Sequence, residues 1–142
     1  MTPYTLQTAF NKIWQTFVVE KAPPSRRGYG DGIGYQCSYG APGTPGCAIG
    51  CLLTPAHQQM AYAWEQGASI PSGVGTMLRY FTFEELSEIP LSQLSKLQTI
   101  HDVCSDDLDK VIVDRATQRR FTALMERDLQ DFAQTHDLVI PS

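Results

Sequence analysis

The stretch Pro23–Leu53, PPSRRGYGDGIGYQCSYGAPGTPGCAIGCLL, constrains the fold of this chain more than any other segment. It holds eight of the eleven glycines, four of the nine prolines, three of the six tyrosines and three of the four cysteines. Gly and Pro each cost free energy in a helix interior, so no long helix runs through it. Its Tyr, Cys and Ile content sets it apart from a pure linker. Long irregular segments inside compact chains are uncommon, and those that persist usually carry function. The expected organisation is one domain over residues 1–142, with a Gly/Pro/Cys-rich structured loop over 21–53 inside it.

Around that loop the chain reads as helical. Leu6, Phe10, Ile13, Trp14, Phe17 and Val18 recur at three- and four-residue spacing, which predicts a helix over 3–20 capped by Thr2 and stopped by Pro23-Pro24. Thr54-Pro55 opens a second helix, with Gly67 as its stop. Residues 68–80 are ambiguous, because Ile70-Pro71-Ser72-Gly73 reads as a turn before Val74 to Tyr80, and Thr82-Phe83-Glu84-Glu85 has the spacing of a capping box for a short helix to Glu88. A further helix follows Pro90 with Leu91, Leu94, Leu97, Ile100 and Cys104 near one face. A long helix from about Asp114 to His136 turns Phe121, Leu124, Met125, Leu129, Phe132 and Ala133 inward. Within the loop, 34–39 has the alternating character of a short strand, and 47–53 is either its partner or one buried helical turn. The fold class is mainly α, with α+β as the alternative: four or five helices around one short two-stranded element.

With 142 residues, 42% of them hydrophobic and 18% charged, the chain has the composition of an ordinary globular domain. The net charge of −4 argues against general nucleic-acid binding. That charge is uneven. Residues 1–53 carry four bases against two acids, whereas the remainder carries seven against thirteen. No run reaches the roughly 18 apolar residues needed to span a bilayer, and Asn11, Lys12 and Gln15 interrupt any secretory pattern. A cytosolic protein with free thiols is the expectation.

Three constellations could carry chemistry. Arg26-Arg27-Gly28-Tyr29-Gly30-Asp31-Gly32-Ile33-Gly34 sets two guanidinium forks beside backbone amides with no Cβ in the way, a combination suited to a phosphate or carboxylate. Tyr29, Tyr35 and Tyr39 could stack on a planar group. No Gly-Lys-Ser/Thr follows and no strand precedes, so this is neither a P-loop nor a dinucleotide fingerprint. Cys47 could open a helical turn and act as a nucleophile with His101 as its base. Asp102 is expected to orient that ring poorly, because adjacent helical residues point about 100° apart. Cys37, Cys47, Cys51 and His57, spaced C-x9-C-x3-C-x5-H, offer four zinc ligands without paired C-x2-C knuckles. The plain alternative for each is a buried small hydrophobe, a core-edge histidine or a connecting surface loop.

Cys37-Ser38-Tyr39, Cys47-Ala48-Ile49-Gly50 and Leu97-Gln98-Thr99-Ile100-His101-Asp102 together resemble a loosely defined group of short bacterial and phage proteins. These share a C-x-Y loop, a C-A-I/V-G turn and a later L-Q-x-x-H-D helix, over roughly residues 35–138 here. The chain departs from the group at Gly40, where an Arg usually follows the Tyr. The resemblance implies a small cytosolic accessory protein, plausibly phage-encoded, with its interest near Cys37, Tyr39, Cys47 and His101. The function expected is binding of a small anionic ligand or a host partner through the Gly-rich loop, without turnover and with no cofactor. A Cys47/His101 hydrolase and a zinc-stabilised interaction module are the alternatives.

Overall fold

A computed structural model describes residues 2–28, 35–67, 73–106 and 114–141. The protein is mainly helical. Helix α1 (Leu6–Trp14) runs on into a π turn over Gln15–Val19, followed by short segments β1 (Arg26–Gly28) and β2 (Tyr35–Cys37). Helices α2 (Pro55–Gly67), α3 (Val74–Tyr80), α4 (Leu91–Asp106) and α5 (Arg115–Thr135) complete the order. No helix among the described residues is long and apolar enough to cross a membrane.

Helix α1 begins three residues later than Pro3, because Thr5 makes a better cap than Thr2. The Thr5 side chain accepts the Thr8 amide, and the Thr8 hydroxyl accepts the Thr5 amide, so two otherwise orphaned donors are satisfied reciprocally. Tyr4 instead gives its amide to the Glu85 carbonyl at 3.0 Å. Ala9, Phe10, Ile13 and Trp14 then face inward. At the far end the ladder widens: Glu20 donates to Gln15 five residues back, at 2.9 Å. The Thr16 hydroxyl bonds the Lys12 carbonyl at 2.8 Å. Phe17 is fully buried in this π turn and packs edge-on against both His101 and Phe121.

The two-stranded element expected from 34–39 and 47–53 is not seen. Residues 47–52 form a turn and a single 3-10 turn, Gly50–Leu52, in which Cys51 donates its amide to the Cys47 carbonyl. A helical turn wins here because Cys47, Ala48, Ile49 and Leu52 can then all be buried at once, whereas strand alternation would turn half of them outward. Residues 35–37 meet 26–28 instead, in a three-residue antiparallel contact with Arg26 opposite Cys37 and Gly28 opposite Tyr35. The helix expected over 82–88 shrinks to one 3-10 turn, Glu84–Leu86, with no side-chain cap, because the Glu85 carboxylate is engaged elsewhere, with Thr54 and His57.

The core is one apolar cluster. Phe10, Ile13 and Phe17 meet Ile49 and Leu52 from the loop, Ala61 from α2, Val74 and Met77 from α3, Leu94 and Leu97 from α4, and Phe121, Met125 and Leu129 from α5. Each large side chain so buried contributes about 1.5–3 kcal/mol relative to exposure. Asp114 caps α5 by accepting the Thr117 amide at 2.8 Å. The inward stripe follows at three- and four-residue steps through Phe121, Met125, Leu129, Phe132 and Ala133. These helices form the frame on which residues 38–53 are laid.

Candidate functional site

A Gly- and Pro-rich segment loses much chain entropy on ordering. Residues 38–50 recover it by tying their backbone to polar side chains inside the protein. Glu65 of α2 is 4% exposed; one of its oxygens accepts the Ser38 hydroxyl at 2.7 Å and the Tyr39 amide at 3.0 Å. Gln58, two turns earlier on the same face, donates to the carbonyls of Tyr39 and Thr44 at 3.0 and 3.1 Å. Gln98 of α4 accepts the Ile49 amide at 3.1 Å and donates to Asp102 at 2.7 Å. The Gly40 amide goes to the Ser38 hydroxyl at 3.1 Å. Buried backbone groups must find partners; here helix side chains supply them.

The turn that results is tight. Gly40, Gly43 and Gly46 have positive φ. A Cβ on Gly46 or on Gly50 would overlap the Tyr39 carbonyl oxygen. Tyr39 is 6% exposed. Its phenol is pushed far above the ordinary value, first by burial and then by the nearby Cys47, Glu65 and Asp102.

His101 is fully buried. The Ser25 amide donates to its Nε2 at 3.2 Å, which makes that nitrogen an acceptor and puts the ring proton on Nδ1. Nδ1 lies 3.3 Å from Asp102 Oδ1, a contact that the 100° separation of neighbouring helical residues was expected to disfavour. The ring is held edge-on to Phe17 and Phe121. Cys47 is 1% exposed and receives the Gly50 amide on its sulfur at 3.4 Å. Burial pushes its thiol well up; the Gly50 amide opposes this, while Asp102, Cys51 and Glu65 add to it. No hydrogen bond joins Cys47 to His101 among the described residues. Both ring nitrogens of His101 are engaged and the Cys47 thiol is held protonated, so neither atom stands ready for nucleophilic attack.

Cys51 gives its S–H to the Ala48 carbonyl at 3.1 Å, and burial pushes its thiol up to about 12. His57, in the first turn of α2, has its Nδ1 at 2.7 Å from both oxygens of Glu85. Glu85 also accepts the Thr54 amide at 2.9 Å. Burial alone would raise the Glu85 carboxyl, but these bonds and the His57 ring outweigh it and hold it below the usual range. Among the described residues no three His, Cys, Asp or Glu side chains are arranged to hold a metal ion. Cys37, Arg26, Arg27 and Tyr35 are described by their backbone, in β1 and β2. Tyr29 lies outside the described residues.

Above the anchored loop is an open cleft of about 320 Å³, walled by Pro23, Ser25, Ser38, Thr44, Gly46 and Tyr62 among others. Ser38 donates its amide to the Ser25 carbonyl at 3.0 Å, continuing the β1–β2 contact to the cleft edge. The chain therefore passes from the cleft wall at Ser25 directly into Arg26 and Arg27. Tyr39 is not among the lining residues; Tyr62 supplies the aromatic ring there.

The sequence pointed at the loop and missed what holds it. Gln58, Ala61 and Glu65 share one buried face of α2, at i, i+3 and i+7. A polar pair flanking Ala on the core side of a helix with little apolar stripe was the available signal. Gln98 and His101 repeat it on α4. Comparison with models of known protein families, with curated proteins and with solved structures finds no match.

Proposed function

We propose that this protein is a small cytosolic accessory protein that binds a small anionic ligand, without turnover, in the cleft between residues 38–46 and Pro23–Ser25. The observation that carries the reading is the preformed loop. Glu65, Gln58, Gln98 and His101 fix its backbone before any ligand arrives, so little ordering entropy opposes binding. In this reading Arg26 and Arg27, which follow Ser25 of the cleft wall directly in the sequence, supply the charge, and Tyr29 and Tyr35 lie close to them in the chain. Tyr39 acts as an anchor beneath the site. The buried, protonated Cys47 favours binding over thiol chemistry.

The test is ligand-induced stabilisation of the parent and of an Arg26→Ala/Arg27→Ala variant, read as a shift in Tm against phosphate, citrate and ATP. The parent is expected to shift with at least one probe. The variant should keep its helical circular dichroism and lose the shift. Equal shifts in parent and variant would refute the assignment of the two arginines.

A further inference from the structure

A second groove, of about 460 Å³, adjoins the cleft and shares Pro23 as a wall; Lys21, Arg115, Gln118 and Arg119 line it with Asp114. The cations come from two separate parts of the chain. Arg115 and Arg119 are one turn apart on α5, an arrangement of like charges that weakens an isolated helix. Lys21 stands opposite them in the left-handed region, φ 56. Its position is held, because Gln118 donates to the Lys21 carbonyl at 3.1 Å and to the Ala22 carbonyl at 3.3 Å. The residue between the two arginines thus fastens the lysine segment to their helix. Among the described residues none of the three cations pairs with a carboxylate, although the chain carries a net charge of −4. The single acid of the groove, Asp114, is committed to the Thr117 amide as the helix cap.

We infer that this groove seats a chain of phosphoryl groups, so that the anion bound by the protein is a polyphosphate, either free or as the tail of a nucleoside polyphosphate whose remainder occupies the cleft. This rests on the reading of the cleft as a ligand site and adds the chemistry of the ligand. Guanidinium forks and an ammonium held on one unit can each donate to separate phosphoryl oxygens, and such charge-assisted bonds are the strong ones. The shared wall at Pro23 lets one extended ligand touch both depressions.

The experiment is isothermal titration with inorganic tripolyphosphate and with ATP, on the parent, Arg115→Gln/Arg119→Gln, Lys21→Asn and Arg26→Ala/Arg27→Ala. Gln keeps helix propensity and Asn tolerates the left-handed backbone, so the groove variants should fold. The parent should bind tripolyphosphate with an affinity that falls as salt rises, and each cation removed should weaken binding roughly tenfold. Equal parent affinities for both probes would support the phosphate chain alone as the ligand; tighter ATP would support a nucleoside in the cleft. No binding of either probe by the parent, or unchanged affinity in both groove variants, overturns the inference. Loss in the Arg26/Arg27 variant with unchanged groove variants would sink the groove and leave the cleft standing. The reverse pattern would keep the groove and sink the assignment of Arg26 and Arg27.

Discussion

A carboxylate 4% exposed that holds a hydroxyl and an amide on one oxygen cannot be removed without stranding buried donors. Glu65→Ala is therefore expected to cost about 2–4 kcal/mol, read from urea unfolding with an unchanged m value. The glycines separate two kinds of demand. Gly50 needs space, since any Cβ meets the Tyr39 carbonyl, whereas Gly43 needs only its positive φ, with open space around it. Gly50→Ala should lose about 1–3 kcal/mol or more from overpacking, and Gly43→Ala only about 1 kcal/mol from its backbone conformation. Glu85 contributes to the acid limb of stability. Its carboxyl is held below the usual value in the folded protein, so its stabilisation is complete above the unfolded pKa. It is lost as pH falls through the folded one. Glu85→Gln should flatten that acid limb of a stability–pH curve, and an unchanged limb would contradict the role. The thiols have the opposite sign: raised in the fold, they weaken it only as pH climbs above their ordinary range.

At the scale of elements, α5 and the loop mark the two extremes of what a sequence discloses. The stripe Phe121, Met125, Leu129, Phe132 was plain because apolar side chains at three- and four-residue spacing need only a surface to face, whatever that surface is. Residues 47–53 were undecidable by the same rule: a short apolar run fits a strand or a helical turn equally until its neighbours are known. The start of α1 shifted because a reciprocal Thr5–Thr8 pair lacks the usual Glu or Gln of a capping box. The loop itself was visible from its Gly and Pro content, but its anchors lie on α2 and α4, 26 and 49 positions away in the two most direct cases. Nothing local in the loop reports such partners. Tyr39→Ala tests this element as a unit, because it removes a large buried side chain from the segment. Protease cleavage between Arg26 and Gly46 should rise while helical circular dichroism stays nearly constant. Cleavage at the parental rate would mean that the ring does not hold the loop.

For the whole molecule, the helices form the stable frame, and a chain segment that could not fold alone is held against it by buried polar side chains. The mainly helical class could be read from the sequence because it depends on periodicity. The cleft could not, because it is built from the meeting of Pro23–Ser25, residues 38–46 and α2, a meeting set by tertiary contacts. The reading of the protein as a preformed binding module stands or falls with the order of that segment. Native-state hydrogen exchange of the amides of Ser25, Tyr39, Ile49 and Gly50 is the most direct measurement, since each donates to a side chain and to no secondary-structure ladder. The account predicts that all four exchange far more slowly than an unstructured chain, with protection approaching that of α4 and α5. Exchange of these four at the rate of an unstructured peptide, while the helices remain protected, would contradict it.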